Sequence, residues 1–281
     1  MLQRSFTRFV GVDLGGGRGK TTALAELRSG PNGAEVIEVA TRAQRQPWTD
    51  ETLVHRLTDA AGETRVIAID APLTQTACNR CERPVCPGSE ACADPAVVWL
   101  RTTGRQLMRK VAAETVGAAG ARPTLAPQAR LAPYSHRATD VVMTYGRGLL
   151  PLSSLNGNAS HIAARATQLR RRLRGAGFQL HANLLEVSPA ATIAALCGPK
   201  FARGYKRDAD PWRTRALILE KLGDLSFAPQ SRMAREEVLG NDHCFDAVIS
   251  GYTAYLWARD GWTAPEGCFV DDGWVYAPPT A

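Results

Sequence analysis

Four acidic residues stand where carboxylates can act together. Asp13 closes the apolar run at 6–14, and Asp70 closes a β-branched run at 65–70. Glu186 lies near the end of a run reaching Val187, and Asp246 falls in the first turn of a helical stretch that opens at Asp242. If the three runs are parallel neighbouring strands, their carboxyl ends converge at one edge of a sheet, and the helix carries Asp246 to the same edge. Carboxylates gathered in this way repel one another at neutral pH and persist when divalent cations neutralise them. Hard oxygen donors select Mg²⁺ or Mn²⁺. Two such ions about 4 Å apart would activate water and stabilise the leaving oxygen in phosphodiester hydrolysis. Any one of these acids, taken alone, also suits a turn or a helix cap; the joint placement is what points to chemistry.

A second set of ligand-type residues is Cys78, Cys81, Cys86 and Cys92, with spacing C-x2-C-x4-C-x5-C in a loop punctuated by Pro84, Pro87 and Gly88. Four thiolates satisfy a tetrahedral Zn²⁺ at about 2.3 Å per bond. An iron–sulfur cluster takes the same four ligands, although this spacing matches neither common ferredoxin run. Zinc, iron–sulfur and unligated thiols all remain open on the sequence. Cys197, Cys244 and Cys268 are scattered and read as buried apolar residues.

The glycine-rich stretch from Gly15 to Thr22 admits two readings. As a hairpin turn beside Asp13, it offers backbone donors that, with Arg18 and Lys20, hold a substrate phosphate. As a phosphate-binding loop of an ATPase, it requires glycine where this chain has Leu14, and 21–27 would open a helix. That rival leaves Glu186 and Asp246 without roles. Elsewhere, Lys206, within Tyr205-Lys206-Arg207, is a candidate for stabilising charge near the cleaved bond. Arg137 is expected to pair with Asp140.

These residues need elements to position them. Strands are expected at 6–14, 21–27, 35–41, 65–70, 179–187 and 269–276. Helices are expected at 48–61 (capped by Thr49 or Asp50), 97–116, 162–174, 189–196, 211–222 and 242–258. The order of three strands, helix, strand, helices, strand, helices implies an α/β fold in which an antiparallel three-strand meander feeds a parallel section flanked by helices. No repeat or linker is evident, so a single domain over 1–281 is expected, with a cysteine-rich insertion at about 74–95.

Composition bounds the rest. The chain has 281 residues, 44% hydrophobic and 22% charged, which excludes disorder, collagen-like and coiled-coil classes. A net charge of +7 favours nucleic acid as partner. The sharpest basic run, Arg170-Arg171-Arg172 with Arg165 and Arg174, is equally a solvated helix surface. The longest apolar runs are too short for a bilayer and no signal-type segment opens the chain, so a cytoplasmic protein without a membrane partner is expected, its cysteines reduced.

The segments VGVDLGGGRGKTTALAEL (10–27), VIAIDAPL (66–73), LLEVSPAATIAAL (184–196) and DHCFDAVISGYTAYLWA (242–258) resemble the Domain of Unknown Function 429 family over nearly the whole chain. Members are predicted nucleases of ribonuclease H-like fold. The resemblance implies catalytic acids on the first strand, the fourth strand and the last helix, where Asp13, Asp70 and Asp246 fall, and a strand-end acid where Glu186 falls. His243, one turn before Asp246, is a proton-transfer or metal-binding candidate and equally an ordinary helix-end histidine. Unlike the type enzyme, this chain has no obvious acid on its first helix. The expected function is a metal-dependent nuclease or phosphodiesterase acting on nucleic acid. The alternatives are a P-loop-like ATPase using 15–22 and a non-catalytic nucleic-acid-binding module.

Overall fold

The computed structural model describes residues 6–16, 21–59, 64–117, 131–153, 155, 160–231 and 233–280. Residues 1–73, 161–263 and 275–281 form one compact unit, and 74–160 with 264–274 form a second. Along the chain, β1 (Arg8–Asp13), β2 (Ala23–Gly30) and β3 (Gly33–Ala40) precede a short hairpin of β4 (Arg42–Ala43) and β5 (Gln46–Pro47). Next come α1 (Asp50–Thr58), with Thr49 as its cap, and β6 (Arg65–Asp70). The second unit then supplies α2 (Pro95–Trp99), a π-helical turn at Leu100–Gly104, α3 (Arg105–Gly117), and α4 (Ala138–Val141) followed by another π-helical turn.

The chain re-enters the first unit through α5 (Ser160–Gly175) and β7 (Leu184–Val187). It continues with α6 (Pro189–Cys197), α7 (Pro199–Arg207), α8 (Pro211–Lys221), β8 (Leu225–Phe227), α9 (Arg235–Gly240) and α10 (Asp242–Asp260). One further helical turn, α11 (Phe269–Asp272), belongs to the second unit, and β9 (Val275–Tyr276) returns to the first.

The first unit is built on a mixed seven-stranded sheet of order β8-β3-β2-β1-β6-β7-β9. β1, β2 and β3 pair antiparallel as the expected meander, while β6, β7 and β9 extend the sheet parallel to β1. β8 adds to the far edge, parallel to β3. Successive side chains in a strand alternate between faces, so pairing register decides which residues share a face. Val10 and Val12 of β1 and Ile67 and Ile69 of β6 pack with Leu53 and Leu57 of α1 and Leu169 and Leu173 of α5. Burying each such side chain contributes roughly 1.5–3 kcal/mol.

The opposite face carries Phe9, Gly11 and Asp13 against α10. A Cβ on Gly11 would collide with the Ala247 and Gly251 backbone, so glycine permits the close approach of strand and helix. Phe9 meets Tyr255 edge-on at 5.5 Å between ring centroids. α10 is buried on nearly all sides, starts at an Asn241 cap that accepts from the His243 and Cys244 amides, and ends at Gly261 in the left-handed conformation (φ 72°).

Two expected strands are shorter than the sequence suggests. The 179–187 run becomes a turn before a four-residue β7. In the 269–276 run, Phe269–Asp272 is helical, and Gly273 at φ 86° turns the chain before β9. No helix among the described residues is long and apolar enough to cross a membrane.

In the second unit, residues 78–94 contain no strand or helix and no buried residue. Behind them, a buried polar network is centred on Asp272. Its carboxylate accepts from Arg80 at 2.8 Å and from the Ala138 amide, and Arg137 donates to Thr74 Oγ1 at 2.8 Å. Arg137 also pairs with Asp140 at 2.8 Å, as expected.

Candidate metal centre

β1 and β6 lie side by side in parallel register, with Asp13 directly opposite Asp70. Both carboxylates emerge on the face covered by α10, where Asp246 sits one turn inside the helix. One oxygen from each of Asp13, Asp70 and Asp246 lies within 4.8 Å of the other two. Asp246 is fully buried. Lys206, near the end of α7, ion-pairs with Asp246, and the buried Tyr205 lies beside it, within the field of the Asp246 charge. On the other flank, His243 Nδ1 is 2.6 Å from Asp13 Oδ2. An ionised carboxylate only accepts, so that contact places the imidazole proton on Nδ1.

The electrostatics follow from crowding negative charge away from water. Desolvation, then the Asp246 and Asp13 charges, lift the Asp70 carboxyl well above the ordinary carboxylate range. Burial pushes Asp246 up to about 7, against the downward pull of Lys206 and with the upward push of Asp13. Desolvation disfavours the charged form of Lys206, but Asp246, Asp70 and Asp13 outweigh it and raise its pKa. The hydrogen bond to Asp13 raises His243. Arg215 on α8 is also buried, with the Asp242 and Asp246 charges acting on it, and desolvation lowers its pKa.

Among the described residues, three carboxylates thus face the Lys206 ammonium. The donor set is all oxygen and carries excess negative charge, which is the chemistry that a hard divalent cation fits. Among the described residues, this is the one group of three or more Asp, Glu, His or Cys whose ligand atoms reach such spacing.

Glu186 corrects the expectation of four converging acids. In the sheet register Glu186 pairs with Ile69, one residue before Asp70, so it faces the opposite side of the sheet. Its buried carboxylate accepts the Leu73 amide at 2.8 Å and so fixes the backbone just after Asp70. Arg18 and Lys20 lie outside the described residues, as does all of 17–20 in the 15–22 loop. The neighbouring described residues still bear on the ATPase alternative. Ala23–Gly30 is a strand paired antiparallel to β1, where a phosphate-binding loop requires a helix. Thr22 Oγ1 accepts from the Gly15 amide (3.1 Å) and from Arg165 (3.0 Å), bracing the turn.

The basic helix α5 is partly committed to internal bonds. Arg165 pairs with Asp50 at 2.8 Å, Arg170 donates to the Leu73 carbonyl at 3.1 Å, and Arg172 pairs with Glu51 at 3.2 Å. Arg171 and Arg174 are exposed. The four cysteines at 78–92 are free thiols, three of them exposed.

With this geometry established, comparison with known proteins adds one family. The description "Protein of unknown function (DUF429)" matches residues 11–267. The chain belongs to this family. No curated protein and no solved structure matches the chain. The DUF429 match spans all three carboxylates, together with Lys206 and His243. Tyr205 is the site residue whose role the sequence did not signal. It reads as part of a basic tripeptide before a helix, whereas it lies in the last turn of α7 and turns inward beside the Phe245 ring at 5.8 Å.

Proposed function

We propose that this DUF429 member is a metal-dependent nuclease that hydrolyses phosphodiester bonds at Asp13, Asp70 and Asp246. The observation that carries the reading is the convergence of three carboxylates from two adjacent strand ends and one buried helix, with the Lys206 ammonium paired to Asp246. The antiparallel meander followed by parallel β6 and β7 supports a ribonuclease H-like reading of the sheet.

Asp13, Asp70 and Asp246 would hold the Mg²⁺ or Mn²⁺. When bound, the cation supplies the positive charge and Lewis acidity that phosphodiester hydrolysis requires. The chain's own groups have separable tasks. Lys206 keeps a fixed positive charge beside Asp246, where negative charge on a phosphoryl group would build. His243 holds its proton on Nδ1 toward Asp13 and fixes the orientation of that carboxylate. Glu186 anchors Leu73 and so sets the exit of the chain from Asp70. The net charge of +7 suits a polyanionic substrate.

The test is cleavage of mixed single- and double-stranded DNA and RNA across an Mn²⁺ titration. Activity should appear with the metal, and Asp13→Asn and Asp246→Asn should each abolish it while keeping the wild-type circular dichroism. Full activity in both variants refutes the proposal. Salt-dependent binding with no turnover under any divalent metal assigns the chain to non-catalytic nucleic-acid binding instead.

A further inference from the structure

We infer that Cys78, Cys81, Cys86 and Cys92 form a tetrathiolate zinc site that staples the second unit's loop. The inference is independent of the proposed nuclease chemistry. It begins with a deficit. Residues 78–94 have no regular secondary structure and bury no side chain, so neither a hydrophobic core nor a backbone ladder holds this loop. Segments that cannot build a core are commonly fixed by disulfides or a structural metal. The four thiols here are free.

The loop is nevertheless clamped at both ends. Arg80, between the first two cysteines, donates to the buried Asp272 at 2.8 Å and to the Gln75 carbonyl at 3.3 Å, and lies 3.6 Å from Asp94. Arg101 donates to three loop carbonyls, Ser89 (3.0 Å), Glu90 (2.7 Å) and Cys92 (2.9 Å). Arg105 adds an ion pair to Glu90 at 2.6 Å. What these clamps leave between them are the cysteines.

The backbone turns between Cys78 and Cys81 and again after Cys86. The Cys81 amide donates to the Cys78 carbonyl at 3.4 Å, closing a turn across the first pair. Gly88, at φ 83°, turns the chain after Cys86-Pro87 and directs its amide to Cys86 Sγ at 3.4 Å, a bond that favours thiolate over thiol. Four thiolates and Zn²⁺ leave a net charge of −2, which Arg80 and Arg101 are placed to offset. No three of the four sulfurs lie mutually within 4.8 Å as the carboxylate oxygens do. Zinc uptake therefore tightens the loop, and part of the binding free energy is used in doing so.

The experiment uses the full chain, purified in metal-free buffers from cells supplied with both zinc and iron. Elemental analysis should return about one zinc per chain and no iron. The pairs Cys78→Ser/Cys81→Ser and Cys86→Ser/Cys92→Ser should each lower zinc at least tenfold, while Cys197→Ser and Asp13→Asn retain it. Because the paired variants risk misfolding, two readouts use the unaltered chain. Cobalt exchange should give the visible bands and thiolate charge transfer of a tetrahedral sulfur site. Treatment with a chelator should make four further thiols reactive. Iron with acid-labile sulfide overturns the zinc assignment, as does zinc retained in the cysteine pairs. A metal-free protein whose four thiols react without chelator overturns the site altogether.

Discussion

Asp246→Asn should stabilise the metal-free protein, and the gain should depend on pH. Oxygens of Asp13, Asp70 and Asp246 lie within 4.8 Å of one another. At that separation and an effective dielectric constant of about 20, each like-charged pair costs roughly 3.5 kcal/mol. The Asp246 carboxyl, moved from the ordinary 3.8 up to about 7, gives a similar figure: at 1.36 kcal/mol per pKa unit the charged form costs about 4 kcal/mol. The folded-state pKa lies above the unfolded one. The cost is therefore absent below about pH 4, grows as pH rises, and is complete above about pH 7. Asparagine preserves the shape and removes the charge. Lys206 loses its nearest partner but keeps Asp13 and Asp70, so the net gain should be about 2–4 kcal/mol at pH 8 and less than half that at pH 5. For a chain of this size that is roughly 5–10 °C in Tm at the higher pH. The assay is thermal unfolding followed by circular dichroism at both pH values, with chelator. Added Mn²⁺ should then raise the wild-type Tm more than the variant's. A variant less stable than wild type at pH 8, or a gain equal at both pH values, refutes the reasoning.

Further expectations follow from single contacts. Gly11→Ala drives a methyl group into the α10 backbone at Ala247 and Gly251 and should cost about 3 kcal/mol or more in denaturant unfolding, with metal affinity falling as the helix is displaced. Glu186→Ala removes the acceptor of the buried Leu73 amide and should cost about 1–3 kcal/mol, yet calorimetry should still detect Mn²⁺ binding because this carboxylate faces the other side of the sheet. His243, raised above 6.5 chiefly by its bond to Asp13, should fall back toward 6.5 in Asp13→Asn when followed by NMR. The stabilisation it provides is fully present below pH 6.5 and lost as pH rises through the folded value, so His243→Gln should be destabilising at pH 6 and neutral at pH 9.

Much of the framework was legible because it is written locally. Two apolar runs ending in aspartate gave β1 and β6, and helical spacing from Phe245 to Leu256 gave α10, so the Asp13–Asp70–Asp246 meeting was open to inference. Glu186 was not, because its orientation depends on the pairing register of β6 with β7, and an offset of one residue moves a side chain across the sheet. Tyr205 and Lys206 were hard to place for a related reason. Their helix is nine residues long and contains Gly204, so tertiary packing rather than periodicity defines its inner face. The 269–276 run has strand-like composition, but Asp272 is drawn into the Arg80 and Ala138 network and the chain turns there instead.

The position of the second unit within the chain has a consequence for biosynthesis. β6 has its partner β1 already synthesised, but its other neighbour, β7, begins at Leu184, and the last of the three carboxylates stands at Asp246. At translation rates of about 5–20 residues per second, Asp13 and Asp70 wait on the order of ten seconds or more for their partner. A nascent chain therefore carries a bare strand edge and two adjacent carboxylates until β7 and then α10 emerge, and any catalytic competence arrives only with α10.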